Sequence, residues 1–155
     1  MEEVLLPIPK IQKIILNNDH IKMMLEETRK TYPKEACGVI LGLFEGDTAK
    51  AQEVVFTKNV AESSVSFAID VEELYRILVR AESEGKDMVG IFHSHPTIAK
   101  PSSADKPFME LNPVVWVIFG TLSDRIEMAA YQWFENTIHH VEIVVENKGN
   151  KELSF

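Results

Sequence analysis

The residues best suited to chemistry lie between Gly90 and Asp105, in the stretch GIFHSHPTIAKPSSAD. His93 and His95 come at the end of an apolar strand. Because side chains alternate along a strand, both imidazoles point to one face and Ser94 points to the other. Two imidazoles placed this way can chelate one metal ion. The spacing therefore predicts a metal site at the tip of this strand.

Asp105 is the candidate third ligand. The loop 96–101 is long enough to turn back and bring the start of a helix beside the two histidines. A catalytic zinc site takes three ligands from His, Asp, Glu or Cys and keeps a fourth position for water. With a base nearby to accept a proton from that water, such a site performs hydrolysis.

Each of these residues also has a purely structural interpretation. His-x-His pairs occur by chance, and Ser102-x-x-Asp105 fits a capping box with Ser102 as N-cap and Asp105 at N3. A capping role does not exclude a metal role, because the carboxylate keeps lone pairs for an ion. The remaining histidines, His20, His139 and His140, lack ligand-like spacing and are interpreted as surface or loop residues.

Length and composition indicate one domain, residues 1–155, with 45 % hydrophobic residues to build a core. The net charge of -8 and the lack of long Lys/Arg runs argue against binding to nucleic acid or to acidic membranes. The single cysteine, Cys37, cannot form an internal disulfide. No signal-peptide pattern or membrane-length apolar run is present, so we expect a cytoplasmic protein.

The hydrophobic periodicity predicts an α/β fold. A sheet of about six strands with helices on its faces is the simplest packing of the expected elements. Strands are expected over 11–16, 36–44, 51–56, 88–93, 114–119, 126–134 and 139–145, with turns at 45–47, 122–124 and 135–136. Helices are expected from Asn18 or Asp19 to Pro33, from Asp70 to Gly85 with Val71, Leu74, Tyr75, Leu78 and Ala81 buried, and within 102–111.

The string HSHP, a short loop and Ser-x-x-Asp, preceded by EACGVILG at 35–42, resembles the JAMM (MPN-plus) zinc metalloprotease family. Members of this family have a mixed central sheet like that of cytidine deaminases. They cleave peptide or isopeptide bonds, many of them after ubiquitin or ubiquitin-like modifiers. The resemblance therefore implies a JAMM/MPN fold over residues 1–155 and a zinc-dependent peptidase.

The resemblance also assigns roles to individual residues. His93, His95 and Asp105 would hold one Zn²⁺ per chain, and Glu35 would act as general base. Ser102 would donate a hydrogen bond to the oxyanion that forms on the scissile carbonyl. The loop between His95 and Ser102 is one residue shorter than the family usually has, which leaves Ser103 as the alternative; sharing a helix face with Asp105 favours Ser102.

The implied substrate is a ubiquitin-like modifier or its conjugates, as in prokaryotic stand-alone members such as desampylases. The segment from Asp105 to Val114 has no room for the long insertion of eukaryotic deubiquitinases. Two alternatives remain: a peptidase that releases an amino acid from a sulfur-carrier protein, and a non-catalytic scaffold of the same fold. The signature of nucleobase deaminases, His-x-Glu with a downstream Pro-Cys-x-x-Cys, is absent. A homodimer through the apolar segment Leu5–Pro9 or an unpaired edge strand is permitted but not required.

Overall fold

The computed structural model describes residues 7–61, 68–122, 124–147 and 152–154. Within these ranges the chain forms eight strands and three helices, arranged as a mixed α/β fold. In chain order they are β1 (Lys13–Asn17), α1 (Asn18–Thr31), β2 (Cys37–Glu45), β3 (Thr48–Thr57), α2 (Val71–Ser83), β4 (Asp87–His95), α3 (Lys106–Leu111), β5 (Val115–Gly120), β6 (Glu127–Phe134), β7 (Thr137–Glu146) and β8 (Glu152–Ser154).

All of these strands join one sheet in the order β1-β3-β2-β4-β5-β6-β7-β8. The first strand also lies parallel to β7, with Ile14 opposite Ile143, while its other edge pairs with β3 through Ala49. Seven strands therefore close into a ring, and β8 extends the sheet from β7. The predicted mixed sheet with flanking helices is confirmed. Ring closure was not predicted, because apolar periodicity shows where strands lie and not which distant strands pair.

Helices cover both faces of the sheet. Met24 of α1 is fully buried in the main core together with Ile14 and Phe92. On the opposite face, Ile77 of α2 packs in a separate cluster, and Met109 of α3 packs in another. Among the described helices, none is long and apolar enough to cross a membrane.

The start of α1 differs from the prediction. The N-cap is Asn17, not Asn18 or Asp19: its Oδ1 accepts a hydrogen bond from the His20 N–H at 2.7 Å, and His20 Nδ1 accepts from the Asn17 N–H at 3.3 Å. His20 is buried, so its interpretation as a surface or loop residue was wrong. The pattern was missed because capping boxes normally carry Glu or Gln at this position.

The buried face of α2 also differs from the prediction. Ala81 is buried and Leu74 packs beside it, as predicted, but Ile77 is buried in place of Val71 and Tyr75, which are 80 % and 68 % exposed. The helix is therefore rotated relative to the face that the apolar pattern suggested. An exposed apolar row follows α2 at spacings of four residues, formed by Val71, Tyr75 and Val79.

The hairpin turns follow the predicted positions. Gly46, with φ 60°, connects β2 to β3. Glu135 and Asn136, with φ 50° and 62°, form the two-residue loop between β6 and β7, a geometry that matches the twist of paired strands. The turn predicted at 122–124 includes Ser123, which lies outside the described residues. Of the N-terminal apolar segment, Leu5 also lies outside them, whereas Ile8 packs against the domain beside α3.

Candidate metal centre

The two histidines lie at the end of β4, which is paired on both sides. His93 is opposite Cys37 of β2 and beside Ile118 of β5, and His95 is beside Gly120. Both imidazoles are buried, and their Nε2 atoms lie 2.8 Å apart. Both rings therefore lie on one face at the strand tip, as predicted. The neighbouring strands hold the backbone of both residues, so the two rings are pre-positioned.

The loop after His95 folds back across the end of β5. The Leu122 N–H donates to the Thr97 carbonyl at 3.1 Å, and the Tyr131 hydroxyl donates to the Ala99 carbonyl at 2.9 Å. Gly120 makes this close approach feasible, because a Cβ there would lie 2.4 Å from the Ala99 nitrogen. The loop is thereby directed back toward the histidines, as the sequence predicted.

Asp105 lies against both histidines at the end of this loop. Its Oδ2 is 3.4 Å from His93 Nε2 and 3.2 Å from His95 Nε2, and it accepts a hydrogen bond from the Ser102 N–H at 2.8 Å. The capping-box prediction was wrong in part: α3 begins at Lys106, and Asp105 is its N-cap and makes no capping bond. Of the two side-chain bonds of a capping box, the one donated by the Ser102 N–H to the Asp105 carboxylate is present, whereas Ser102 Oγ accepts none among the described residues.

Glu35 reaches the same site from the residues just before β2. It is buried, and its Oε1 lies 3.7 Å from His95 Nε2. Among the described residues, neither Glu35 Oε1 nor Ser102 Oγ has a hydrogen-bond partner, although both atoms are buried. Ser103, the alternative to Ser102, is exposed. Buried polar atoms of this kind are normally satisfied, so both are available to a ligand, an ion or water.

Burial and the close contacts change the acidity of these groups. Burial raises the pKa of Glu35 to about 7; His95 opposes this rise and Asp105 adds to it. Burial also lowers the pKa of His93, which favours the neutral imidazole that a metal requires. For Asp105, burial is outweighed by hydrogen bonds with His93 and His95, and its pKa lies well below its ordinary value. Burial lowers the pKa of His95, but Asp105 outweighs this effect and the net direction is upward.

The donor set fits a divalent cation such as zinc. Ligands about 2.0–2.2 Å from a tetrahedral ion are separated from one another by roughly 3.3–3.5 Å. The two distances from Asp105 Oδ2 to the histidines, 3.4 and 3.2 Å, are close to this value, whereas the two histidine Nε2 atoms, at 2.8 Å, lie closer together. The ligand atoms of Glu35, His93 and His95 also lie within 4.8 Å of one another. Asp105 Oδ2 is closer to His95 Nε2 than Glu35 Oε1 is, at 3.2 Å against 3.7 Å.

An apolar groove of about 320 Å³ lies on the same face of the sheet. Ile91 and Trp116 of the sheet, Leu74 of α2 and Phe108 of α3 are among its lining residues. The Trp116 ring also packs edge-on against His93, with centroids 5.5 Å apart. The groove therefore adjoins the histidines.

Some features of the site could not be read from the sequence. Trp116 looked like an ordinary strand residue, and Gly120 carried no turn signal. Ser94 was placed only by alternation, although its hydroxyl accepts from the Ala36 N–H at 2.8 Å. The sequence offered one clue to the roles of these residues, namely that they lie within the His-x-His strand or opposite it. Cys37 is buried, and burial raises its pKa.

Comparison with known proteins assigns the family. Residues 17–134 match the family described as prokaryotic homologs of the JAB domain. The chain is 38 % identical to a desampylase of Pyrococcus furiosus, over 72 % of this chain and 76 % of that protein. It is 33 % identical to a desampylase of Haloferax volcanii, over 74 % of this chain and 80 % of that protein. The chain belongs to this prokaryotic JAB family, which confirms the predicted JAMM/MPN fold and peptidase class.

Two more distant relatives agree with this assignment. A CysO-cysteine peptidase of Mycobacterium tuberculosis is 26 % identical, over 81 % of this chain and 86 % of that protein. The solution structure of protein DSY2949 from Desulfitobacterium hafniense superposes with a TM-score of 0.79 at 27 % identity, covering 87 % of this chain and 94 % of that one. The sheet described above is therefore the fold of a known structure.

Proposed function

We propose that this protein is a zinc-dependent isopeptidase that hydrolyses the amide bond after the C-terminal tail of a ubiquitin-like modifier. The observation that carries the proposal is the convergence of Asp105 Oδ2 on both histidine Nε2 atoms, beside Glu35 Oε1, which has no hydrogen-bond partner in the part of the chain that the structure describes. The two desampylase relatives support the choice of substrate.

His93, His95 and Asp105 are the residues that would hold one Zn²⁺. The strand fixes both imidazoles, and the bond from the Ser102 N–H fixes the Asp105 carboxylate. The chemistry that zinc supplies at such a site is that of a Lewis acid, which polarises the scissile carbonyl and acidifies water.

Glu35 moves the proton. A carboxylate whose pKa is raised to about 7 by burial is a stronger base than an exposed glutamate, and it can accept and return a proton near neutral pH. It takes a proton from the attacking water as the oxygen of that water bonds to the carbonyl carbon. When the carbon–nitrogen bond breaks, the same proton passes to the leaving amine. One acid–base residue therefore serves both steps.

Ser102 stabilises the oxyanion. Its hydroxyl is not used as a helix cap, and no protein partner occupies Oγ among the described residues. The O–H is therefore available to donate to the negative charge that develops on the carbonyl oxygen. Asp105 orients the Ser102 backbone while facing the histidines, so ligand and oxyanion donor are linked by this hydrogen bond and by the one from the Asp105 N–H to the Ser102 carbonyl.

The burial of the site selects a narrow substrate. Glu35, His93, His95 and Asp105 are only 0–5 % exposed. A chain that reaches the scissile position must therefore be slender, and a glycine-rich C-terminal tail satisfies this requirement because glycine has no Cβ. The groove beside Trp116 accommodates apolar side chains farther from the scissile bond.

A second candidate is a peptidase that releases an amino acid from a sulfur-carrier protein. The CysO-cysteine peptidase relatives, at 26 % identity, favour this alternative. It would use the same residues in the same roles. The two candidates differ only in the group attached to the tail, so a substrate comparison separates them.

The expectations about location and partners stay predictions. They are a cytoplasmic location, binding to a partner copy, and a lack of nucleic-acid or membrane partners.

The experiment starts with the zinc content of the purified protein. Cleavage is then measured on three substrates: a modifier joined to a lysine side chain, a linear fusion, and a carrier protein ending in a single added amino acid. Each is run with chelator and after zinc is restored. Cleavage of the lysine conjugate that is lost with chelator and regained with zinc supports the proposal. Release of only the added amino acid would favour the second candidate, and zinc-independent cleavage would contradict both.

A further inference from the structure

The peptide group that joins Glu35 to Ala36 is held at both of its polar atoms by side chains. The Ala36 N–H donates to Ser94 Oγ at 2.8 Å, and the Glu35 carbonyl accepts from Asn59 Nδ2 at 3.0 Å. Both residues come from outside the segment: Ser94 lies between the two histidines on β4, and Asn59 follows β3. The backbone beside the acid–base residue is therefore clamped from two directions.

The regular sheet does not provide this clamp. Strand β2 begins at Cys37, so Glu35 precedes the ladder. An antiparallel pair at Ala36 and Ser94 would exchange two backbone hydrogen bonds. The Ser94 N–H donates to the Ala36 carbonyl at 3.0 Å, but the return bond from Ala36 goes to the Ser94 hydroxyl. A side chain thus replaces the last backbone bond.

The orientation of this peptide group determines where the Glu35 side chain points. If the Ala36 N–H lost its acceptor, a buried donor would be left unsatisfied, and the peptide would rotate to find another partner. The carboxylate, now 3.7 Å from His95 Nε2, would move with it. Displacements of about 1 Å in a reacting group reduce rates by as much as roughly 100-fold.

We infer that Ser94 is a positioning residue for Glu35, acting through the Ala36 N–H while Asn59 holds the opposite side of the same peptide. The inference rests on the proposed role of Glu35 as acid–base residue. It gives the middle residue of His-Ser-His a function separate from its neighbours. Its side chain points away from the metal face and reaches the site only through Glu35.

The test compares Ser94→Ala and Ser94→Thr with the wild-type protein, using a ubiquitin-like modifier joined to a fluorescent lysine peptide. For Ser94→Ala we expect kcat to fall by about 10- to 100-fold, with KM within about twofold and zinc content unchanged. The visible spectrum of the Co²⁺-substituted protein should also stay unchanged, because the histidines do not move. Ser94→Thr keeps the hydroxyl and should recover most of kcat.

The matched control is Thr28→Val, which removes another buried hydroxyl bond, from Thr28 Oγ1 to the Met24 carbonyl at 2.8 Å. Its kcat should stay within twofold of wild type. Asn59→Asp is the second variant for the clamp: it loses the donor to Glu35 but keeps an oxygen for the Ala61 and Ala68 N–H groups. It should reproduce the fall in kcat even if Ser94→Ala proves too unstable to measure.

Two results would overturn the inference. The first is that the kcat of Ser94→Ala stays within twofold of wild type. If Ser94→Ala does not fold, the same result for Asn59→Asp counts instead. The other is a loss of kcat that follows a loss of zinc or a changed Co²⁺ spectrum, since the serine would then act through the histidines. Glu35→Gln is measured in parallel. If it keeps full activity, the proposed function fails; if it is inactive while Ser94→Ala is normal, only the positioning role fails.

Discussion

The Asp105 carboxylate accepts the Ser102 N–H with the same oxygen that faces His93 and His95. Asp105→Asn keeps an oxygen for the Ser102 N–H but removes the negative charge. We expect the turn to persist. Zinc affinity should fall by more than the roughly 10- to 100-fold that is typical when a residue hydrogen-bonded to a metal ligand is changed. A competition titration against a zinc-binding dye measures this affinity. Asp105→Ala should also be less stable, and wild-type affinity in Asp105→Asn would contradict its role as a ligand.

Glu35→Gln tests the acid–base residue. Glutamine has the same shape and cannot accept the proton from water, so kcat should fall by about 10²- to 10⁴-fold. Zinc content should stay at the wild-type level, because Glu35 Oε1 is farther from His95 than Asp105 is. Steady-state cleavage of a lysine conjugate and metal analysis give the two readouts. Near-normal turnover, or loss of the metal, would require a different assignment.

Ser102→Ala and Ser103→Ala decide between the two serines. Loss of one oxyanion donor typically lowers kcat by about 10²- to 10³-fold. We expect this loss for Ser102, whose Oγ is buried, and a change of less than about twofold for Ser103, which is exposed. The comparison is internally controlled, because both variants alter the same loop by one oxygen atom. The reverse order would transfer the role to Ser103.

Gly120→Ala tests the support of the metal loop. The added methyl group would lie 2.4 Å from the Ala99 nitrogen and 2.8 Å from the Thr97 carbonyl oxygen, so the loop must move. We expect a lower melting temperature together with weaker zinc binding. Gly46→Ala is the matched control: it strains a positive φ in open space, which costs about 1 kcal/mol and leaves the zinc affinity unchanged. Equal zinc affinity in both variants would show that the loop adapts without cost to the site.

Gln132→Leu tests a buried side chain that holds the segment before β1 by hydrogen bonds. The Gln132 amide accepts from the Ile11 N–H at 2.7 Å and donates to the carbonyls of Pro9 and Pro113 at 2.9 and 3.1 Å. Leucine leaves a buried N–H without an acceptor, which costs about 1–3 kcal/mol. Urea unfolding measures the loss. Gln12→Leu, at an exposed position, should stay within about 0.5 kcal/mol of wild type, and equal stabilities would contradict this role of Gln132.

The sequence predicted what depends on local pattern. Alternation along β4 placed His93 and His95 on one face, and the length of the following loop predicted the return to Asp105. The apolar run after Glu35 predicted β2. Glu35 itself could be singled out only through the resemblance to a known family, because a glutamate before a strand is usually a solvated charge. The sequence was therefore sufficient to predict that His93, His95 and Asp105 lie close together.

The parts that were missed depend on tertiary contacts. Which side of α2 is buried was decided by the fit of Ile77 and Ala81 over β2, and Val71 and Tyr75 were left exposed although they are apolar. The capping prediction at Ser102 was wrong in part: the Ser102 N–H donates to the Asp105 carboxylate, but the helix begins only at Lys106 and the carboxylate faces the histidines. Local propensity is a weak guide where such packing and electrostatic contacts compete with it.

The parallel pairing of β1 with β7 joins Ile14 to Ile143, two residues that are far apart in the chain. Contacts of such high sequence separation are slow to form, because a long loop must lose entropy before any bond compensates. We expect this pairing of β1 with β7, here called the seam, to form late in refolding. Local pairings such as the hairpin of β2 and β3, which carries Cys37, should form earlier. Weakening the seam should slow the return of native fluorescence more than an equally destabilising change in that hairpin.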